Sequence, residues 1–343
     1  MAHEIYEDDN VVLHGERAWH GLGVIVQDAP TPAEALKMAG LDIGVDRREL
    51  FFYDSLGQPH KVESHVANVR ADNGRVLGVV TDGYQTIQNI DTANFCAALA
   101  DESNGAVKCE TIGSIRHGAK VWFLLKGEQF SVANGDGIFP YILVSNGHDG
   151  LTTFRVTPTT VRVVCSNTMH MVIPRYETGE LGSSAISIRH TVNIMERIEE
   201  ARLALKHYRE TLDEQKIMAD VMSRKQVSQA DVQQFFLDCY TADFGEIPQN
   251  PTSKVEENRK NRAMSAYNSF SRRFDDERGI AGSSWWNTVN AYSGLCQHDL
   301  KARGQDDEDR VEKRVTSNLF GLNANRTQDA LQRAFRQAVG VAV

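Results

Sequence analysis

Between Ile188 and Ser223 the chain runs 36 residues without a glycine or a proline. Ile194, Ile198, Ala201 and Leu205 recur there at the spacing of one helix face, and so long a run of helix formers fits one long helix or a helical hairpin. The residues before it have the opposite grain. β-Rich or alternating runs lie at Glu49–Tyr53, Val66–Arg70, Val76–Thr81, Val121–Leu125 and Tyr141–Ser145, each bounded by Gly, Asn, Asp or Pro, the pattern of strands joined by turns. The expected fold class is α+β. A strand-rich α+β domain with a mixed or antiparallel sheet is expected over residues 1–185. A largely helical region over residues 186–343 is expected to pack on it or on a neighbouring subunit.

Local signals place the elements more closely. Asp72-Asn73-Gly74 is a hairpin turn, because Asn-Gly tolerates positive φ. Thr31 caps a short helix that has Pro32 at its first position and ends at Gly40. Asp91 is expected to cap a second helix, Asp91–Ala100, with Phe95 and Leu99 on one face. The longest strand signal is Thr152–Ser166 (TTFRVTPTTVRVVCS). Pro158 cannot donate to a ladder, so the segment is predicted to break into two strands, Thr152–Thr157 and Thr160–Cys165. Further helices are expected at Ser228–Tyr240, Lys254–Phe274, Ser283–Lys301 and Thr327–Ala338, with loops at Gly245–Thr252 and Arg303–Asp309. The charge run Asp306–Arg310 reads as a solvated loop.

With 343 residues, 41% of them hydrophobic, the chain can bury more than one core. No apolar run reaches the roughly 18–20 residues of a membrane span, and MAHEIYEDDN is acidic where a signal peptide is basic and then apolar. A cytoplasmic protein with no membrane partner is expected. Cys96, Cys109, Cys165, Cys239 and Cys296 form no C-x-x-C pair and no zinc-like spacing with histidine, which suits a reducing compartment. The phosphate-binding G-x-x-x-x-G-K-[ST] loop is absent, and Gly21-Leu22-Gly23 lacks a third glycine and a preceding strand. Neither a metal nor a cofactor is expected. The net charge of −9 argues against a polyanionic partner. The charge is unevenly spread, however: residues 1–185 carry 14 Lys/Arg against 23 Asp/Glu, and residues 186–343 carry 23 of each.

Five pieces of the chain form a recognisable series: Trp19–Gly23 (WHGLG), Tyr84–Asn89 (YQTIQN), Ser145–Gly150 (SNGHDG), Arg162–Thr168 (RVVCSNT) and Ser283–Ala291 (SSWWNTVNA). In that order they resemble the phage/plasmid-like protein family, domain of unknown function family 932, carried by bacteriophages, plasmids and their bacterial hosts. The resemblance covers nearly the whole chain and implies no established activity. It implies a gene that travels on mobile DNA, and so replication, recombination or conflict with host defences.

Each motif has a structural reading beside a functional one. Trp19–Gly23 suits a buried Trp anchoring an arm, or a ligand loop. Asn146, His148 and Asp149 stand in an ordinary strand-end turn, and with Asn167 they form the candidate catalytic cluster of an enzyme acting on nucleotides or nucleic acid, provided that they converge with His14 or His20. Cys165 alternates with Val163 and Val161 and reads as a core thiol. Arg155 and Arg162 lie within apolar strands, where a guanidinium needs a carboxylate, water or a phosphate. Lys254, Arg259, Lys260 and Arg262 fall in the most basic stretch, interleaved with Tyr267 and Phe270, a mixture that suits single-stranded nucleic acid as well as a surface helix with aromatics turned inward. Trp285 and Trp286 divide the same way.

No catalytic constellation stands out, and the expectation leans away from an enzyme. The leading expectation is a nucleic-acid-binding protein of mobile elements, single-stranded DNA favoured, acting in annealing or recombination and assembling as a homo-oligomer. Its phosphate contacts would come from Arg155, Arg162, Lys254, Arg259, Lys260 and Arg262. The alternatives are an enzyme using the Asn146/His148/Asp149 cluster, and a protein-binding factor that counters a host defence through the acidic first half.

Overall fold

The computed structural model describes residues 11–14, 24–26, 30–103, 107–132, 135–162, 168–198, 208–300 and 307–340. Its strand-rich first part is followed by helices, and the fold is α+β. The first elements are β1 (Val11–His14), β2 (Val24–Val26) and α1 (Pro32–Met38). Thr31 caps α1 in a full capping box, with Glu34 returning a hydrogen bond to the Thr31 N–H at 2.8 Å. Strands β3 (Val45–Tyr53), β4 (Pro59–Arg70) and β5 (Val76–Thr81) form an antiparallel meander in that order. Its β4–β5 turn is the expected one, with Gly74 at φ 73°. Helix α2 (Asn89–Glu102) begins earlier than expected: Gln88 is the cap, and Asp91 is the third residue that reaches back to the Gln88 N–H at 3.1 Å.

The central sheet is built from β6 (Lys108–Ile115), β7 (Lys120–Lys126), β8 (Phe130–Val132), β9 (Asp136–Gly147), β10 (Phe154–Arg162), β11 (Thr168–His170) and, beyond the hairpin of β12 (Val172–Arg175) and β13 (Glu180–Ser183), β14 (Ile186–Ile188). Its order is β11-β10-β9-β7-β6-β1-β2, with β14 beside β10 and β8 beside β9. Both faces are buried. Val121, Phe123 and Leu125 join Ile142, Val144, Phe154 and Val156 beneath α1 and α2, while Trp122, Leu124, Tyr141, Leu143 and Val161 close on Leu319 from the C-terminal helices. The period of two along β7 thus feeds two cores.

Thr152–Ser166 does not break at Pro158 as predicted. Phe154–Arg162 is one strand, and Pro158 pairs with Ile142 of β9. Its other side is the gap between two partners: β14 pairs Phe154–Val156 and β11 pairs Thr159–Val161. The missing N–H falls where no ladder asks for one, and the Pro158 carbonyl accepts from the Met171 N–H at 2.8 Å. Residues 163–167, and with them Cys165 and Asn167, lie outside the described residues, as does Trp19–Gly23.

The helices are α3 (Tyr208–Arg224), α4 (Gln229–Phe244), α5 (Lys254–Ala281), α6 (Trp285–Gly294), a π-turn at Leu295–Asp299, α7 (Asp307–Phe320) and α8 (Leu322–Val339). The run from Ile188 opens at the last residue of strand β14 and is helical at 194–198 and again over α3; residues 199–207 between them lie outside the described residues. One expectation fails here. The acidic run at 307–310 opens α7, where a loop was expected; carboxylates in a first turn favour the positive end of a helix dipole. Helix α6 is buried along its whole length and fixes the helices to the sheet. The Trp286 Nε1–H donates to Asp136 Oδ2 at the start of β9 (2.9 Å), and the buried Gln297 of the π-turn both accepts from the Thr168 N–H (2.8 Å) and donates to its carbonyl (2.7 Å).

Trp286→Phe keeps an aromatic ring, though a smaller one, and removes the donor to a buried carboxylate, a loss of at least about 1.5–3 kcal/mol. Chemical denaturation should show the midpoint falling with an unchanged m-value.

Candidate anion-binding cleft

The turn closing the β6–β7 hairpin has the least ordinary backbone among the described residues. Arg116 and His117 hold φ of 55° and 60°, ahead of Gly118 at 89°, and the Ala119 N–H donates to the Arg116 carbonyl at 3.1 Å. Left-handed geometry costs roughly 1–2 kcal/mol at each non-glycine residue, and turns of this hand favour Asn-Gly. The surroundings impose it. Arg70, buried at the end of β4, donates from Nη1 to the His117 carbonyl (2.9 Å) while its other nitrogens hold Asp72 (3.0 and 2.8 Å), and the Arg75 guanidinium meets the His117 ring.

This turn places Arg116, and Lys120 four residues on, in a cleft of about 590 Å³. Helix α7 contributes Lys313, Thr316, Ser317 and Phe320, positions three, four and seven apart and so on one helix face. The Lys120 ammonium lies 3.6 Å from the centre of the Phe320 ring, a cation–π contact that joins the hairpin to α7. Gly321, from which α8 starts, also lines the cleft, and the first turn of α8 carries no acid. The positive end of an 18-residue helix dipole is thus at the rim. Among the described residues that line it, the one carboxylate is Asp149, engaged with its own turn: Oδ1 accepts from the Leu151 and Thr152 N–H groups (2.9 and 2.8 Å), and Arg116 is 3.9 Å from Oδ2. Three cations, three hydroxyls and an aromatic ring suit a phosphate with an attached apolar group.

The other members of the expected catalytic cluster lie behind this surface. His148 is fully buried; its Nε2–H donates to Asn89 Oδ1 (2.9 Å), and Asn89 is oriented by its own donation to the Leu41 carbonyl (3.0 Å). Asn146 donates to the Ile87 carbonyl (3.0 Å), Tyr84 to the Gly147 carbonyl (2.6 Å) and Asn68 to the His148 carbonyl (2.9 Å). Residues 84–89 and 145–150 therefore interlock as scaffold. Of the described members of that cluster Asp149 alone lines the cleft; Asn167 and His20 lie outside the described residues.

The family defined as Domain of unknown function (DUF932) matches residues 76–319. The chain belongs to this family. The matched span holds both interlocking segments and every residue named in the cleft except Phe320 and Gly321. No curated protein and no solved structure matches the chain.

The expected phosphate contacts separate into two groups. Arg155 is exposed on the sheet face that α7 covers. Its charge, after burial, helps to push the His170 imidazole down to about 4, and His170 contacts the Leu319 carbonyl beside Phe320. Arg162 ends β10. Lys254, Arg259, Lys260 and Arg262 lie on α5 elsewhere: Lys260 donates to the Gln249 carbonyl (2.7 Å), and Arg262 and Arg259 sit close enough to Tyr240 to oppose the upward push of burial on its phenol. Phe270 is fully buried against Phe236, and Trp285 and Trp286 are buried as well, so none of these rings is exposed to stack on a base. Sequence reading missed Arg116, Lys120 and Lys313. The signals available were two cations flanking a His-Gly turn and the Lys-x-x-Thr-Ser-x-x-Phe spacing of α7.

Burial, with the nearby His190 charge, pushes His148 down to about 4. Between pH 6.5 and 4 the unfolded chain takes up a proton there and the folded one does not, so stability falls as pH falls through that window, by on the order of 3 kcal/mol. His148→Gln should flatten this slope when denaturant midpoints are measured from pH 7 to 4.

Proposed function

We propose that the protein binds nucleic acid, single-stranded DNA favoured, and that the Arg116/Lys120/Lys313 cleft grips its phosphodiester backbone. One observation carries this reading: the chain keeps Arg116 and His117 in left-handed conformations at the point where a cation enters a cleft lined by two further cations. Strained non-glycine backbone persists where surroundings over-determine it, and it clusters at sites of function. The net charge of −9 does not oppose the reading, because phosphate contacts are local and surface charges more than about 10 Å apart are largely screened at ordinary salt. Phe320 and Leu151 offer apolar surface beside the cations, which suits unstacked bases. Arg155, near the Leu319 end of α7, extends the cationic track. Lys254, Arg259, Lys260 and Arg262 form a second, separate patch that a longer strand would reach. The resemblance to a family carried on mobile DNA points the same way, toward annealing or recombination.

The test is anisotropy of a labelled mixed-sequence oligonucleotide across a salt series. Affinity should fall steeply with salt, and Lys313→Ala should weaken binding at all sequences while removing about 0.7 from the log–log slope. Arg116→Gly should weaken binding while the melting temperature holds or rises, since the left-handed strain of roughly 1 kcal/mol is relieved. The triple exchange of Arg259, Lys260 and Arg262 for Ala should shorten the occluded site with little effect on folding. Absence of salt-sensitive binding to DNA and RNA, or binding indifferent to both cleft variants, would refute the proposal.

A further inference from the structure

The meander ends in a two-stranded arm. Its inner part, Val45–Glu49 against Val66–Arg70, is backed by β5, but beyond a register break between Glu49 and Phe51 only Phe51–Tyr53 and Pro59–Lys61 remain paired. The arm is well made. Asp54 Oδ1 accepts from the Leu56 and Gln58 N–H groups at 2.9 Å each, Gly57 takes φ 75°, His60 bonds Asp54 at 2.9 Å and stacks on Phe52, and Lys61 pairs with Glu49 at 2.8 Å. Yet Phe51, Phe52, Tyr53 and Leu56 are 51%, 56%, 70% and 84% exposed. Two-stranded ribbons are marginal alone in water, and clustered exposed aromatics mark an interaction surface. The outer edge of β3 has no neighbouring strand among the described residues.

We infer that this arm pairs with the same arm of a second copy, β3 against β3, antiparallel about a two-fold axis through Phe51. The charges select the occupant. Residues 46–63 carry three Lys/Arg and four Asp/Glu, so the arm has no field to draw a polyanion, unlike the cleft. The charges also select the register. Pairing about Phe51 sets Arg48 opposite Asp54, Glu49 opposite Tyr53 and Leu50 opposite Phe52, with Phe51 facing itself. Pairing about Leu50 sets Asp46 against Asp54, a like-charge pair, and pairing about Phe52 sets Leu50 against Asp54. Of the three, only the Phe51 axis brings opposite charges together and keeps the apolar side chains facing one another. Such a contact is isologous and closes at a dimer, adding a strand to a free edge by backbone hydrogen bonds. It does not depend on nucleic-acid binding.

Sedimentation of the full chain over a concentration series should show a monomer–dimer equilibrium, and Phe51→Lys, which sets like charges on the axis, should leave a monomer whose melting temperature matches that of the unaltered chain at concentrations where it too is monomeric. Phe51→Cys should give a covalent dimer on mild oxidation. Tyr53→Cys should not, because the two copies of residue 53 lie about 13 Å apart along the strands, beyond the roughly 7 Å that a disulfide can bridge. The four described cysteines are buried and leave little background. A chain that is monomeric at every concentration, a dimer that survives Phe51→Lys, or cross-linking at 53 and not at 51 would each overturn the inference.

Discussion

The docking of the 145–150 turn onto residues 84–89 holds the rest of the molecule in place. Four side chains, Asn68, Tyr84, Asn146 and His148, each direct a hydrogen bond across the join between the meander, the entry to α2 and the end of β9. Contact is too close for side chains to intervene. A Cβ on Gly78 would come within 2.5 Å of the Asp149 Cα, and one on Gly147 within 2.3 Å of the Thr152 Cβ. Buried amides and a neutral imidazole stabilise little in total, because each leaves water to bond with protein. They are instead specific, since a shifted register would strand donors and acceptors in the interior. That specificity fixes Asp149 and Thr152, and through them one side of the cleft.

Much of the fold was legible where local chemistry decides it. Thr31 with Glu34, Ser228 with Asp231 and Asn73-Gly74 adopt the cap and turn geometries that their residue types favour. What was misread depended on partners remote in sequence. Pro158 reads as a break until β14 and β11 are seen to leave a gap beside it. The run at 307–310 reads as solvated charge until it is seen to open a helix whose last turn packs on β7 and β9. Asp91 passes for a cap because a third-position carboxylate and a cap differ by one reciprocal hydrogen bond.

The cleft was illegible for the same reason. Its cations come from a hairpin turn at 116–120 and a helix near 313, and nothing within either segment announces the other. The interleaved basic and aromatic residues of α5 drew attention instead, yet their spacing is that of an amphipathic helix: Ala263, Ala266, Phe270 and Phe274 face the helical core and the cations are left to solvent.

One guanidinium links scaffold and cleft. Arg70 is buried at the end of β4, grips Asp72 with two nitrogens and spends a third donor on the His117 carbonyl; its bonds hold the Asp72 carboxyl below the usual carboxylate range. A lysine has one charged nitrogen and no fork, and could not hold both partners in this geometry. The unfavourable φ values at Arg116 and His117 are thus sustained from the meander, across a join that also carries Gly78 against Asp149. The cleft is consequently set by β4 and β5 as much as by the residues that line it, and the orientation of its first cation depends on a sheet that does not line it.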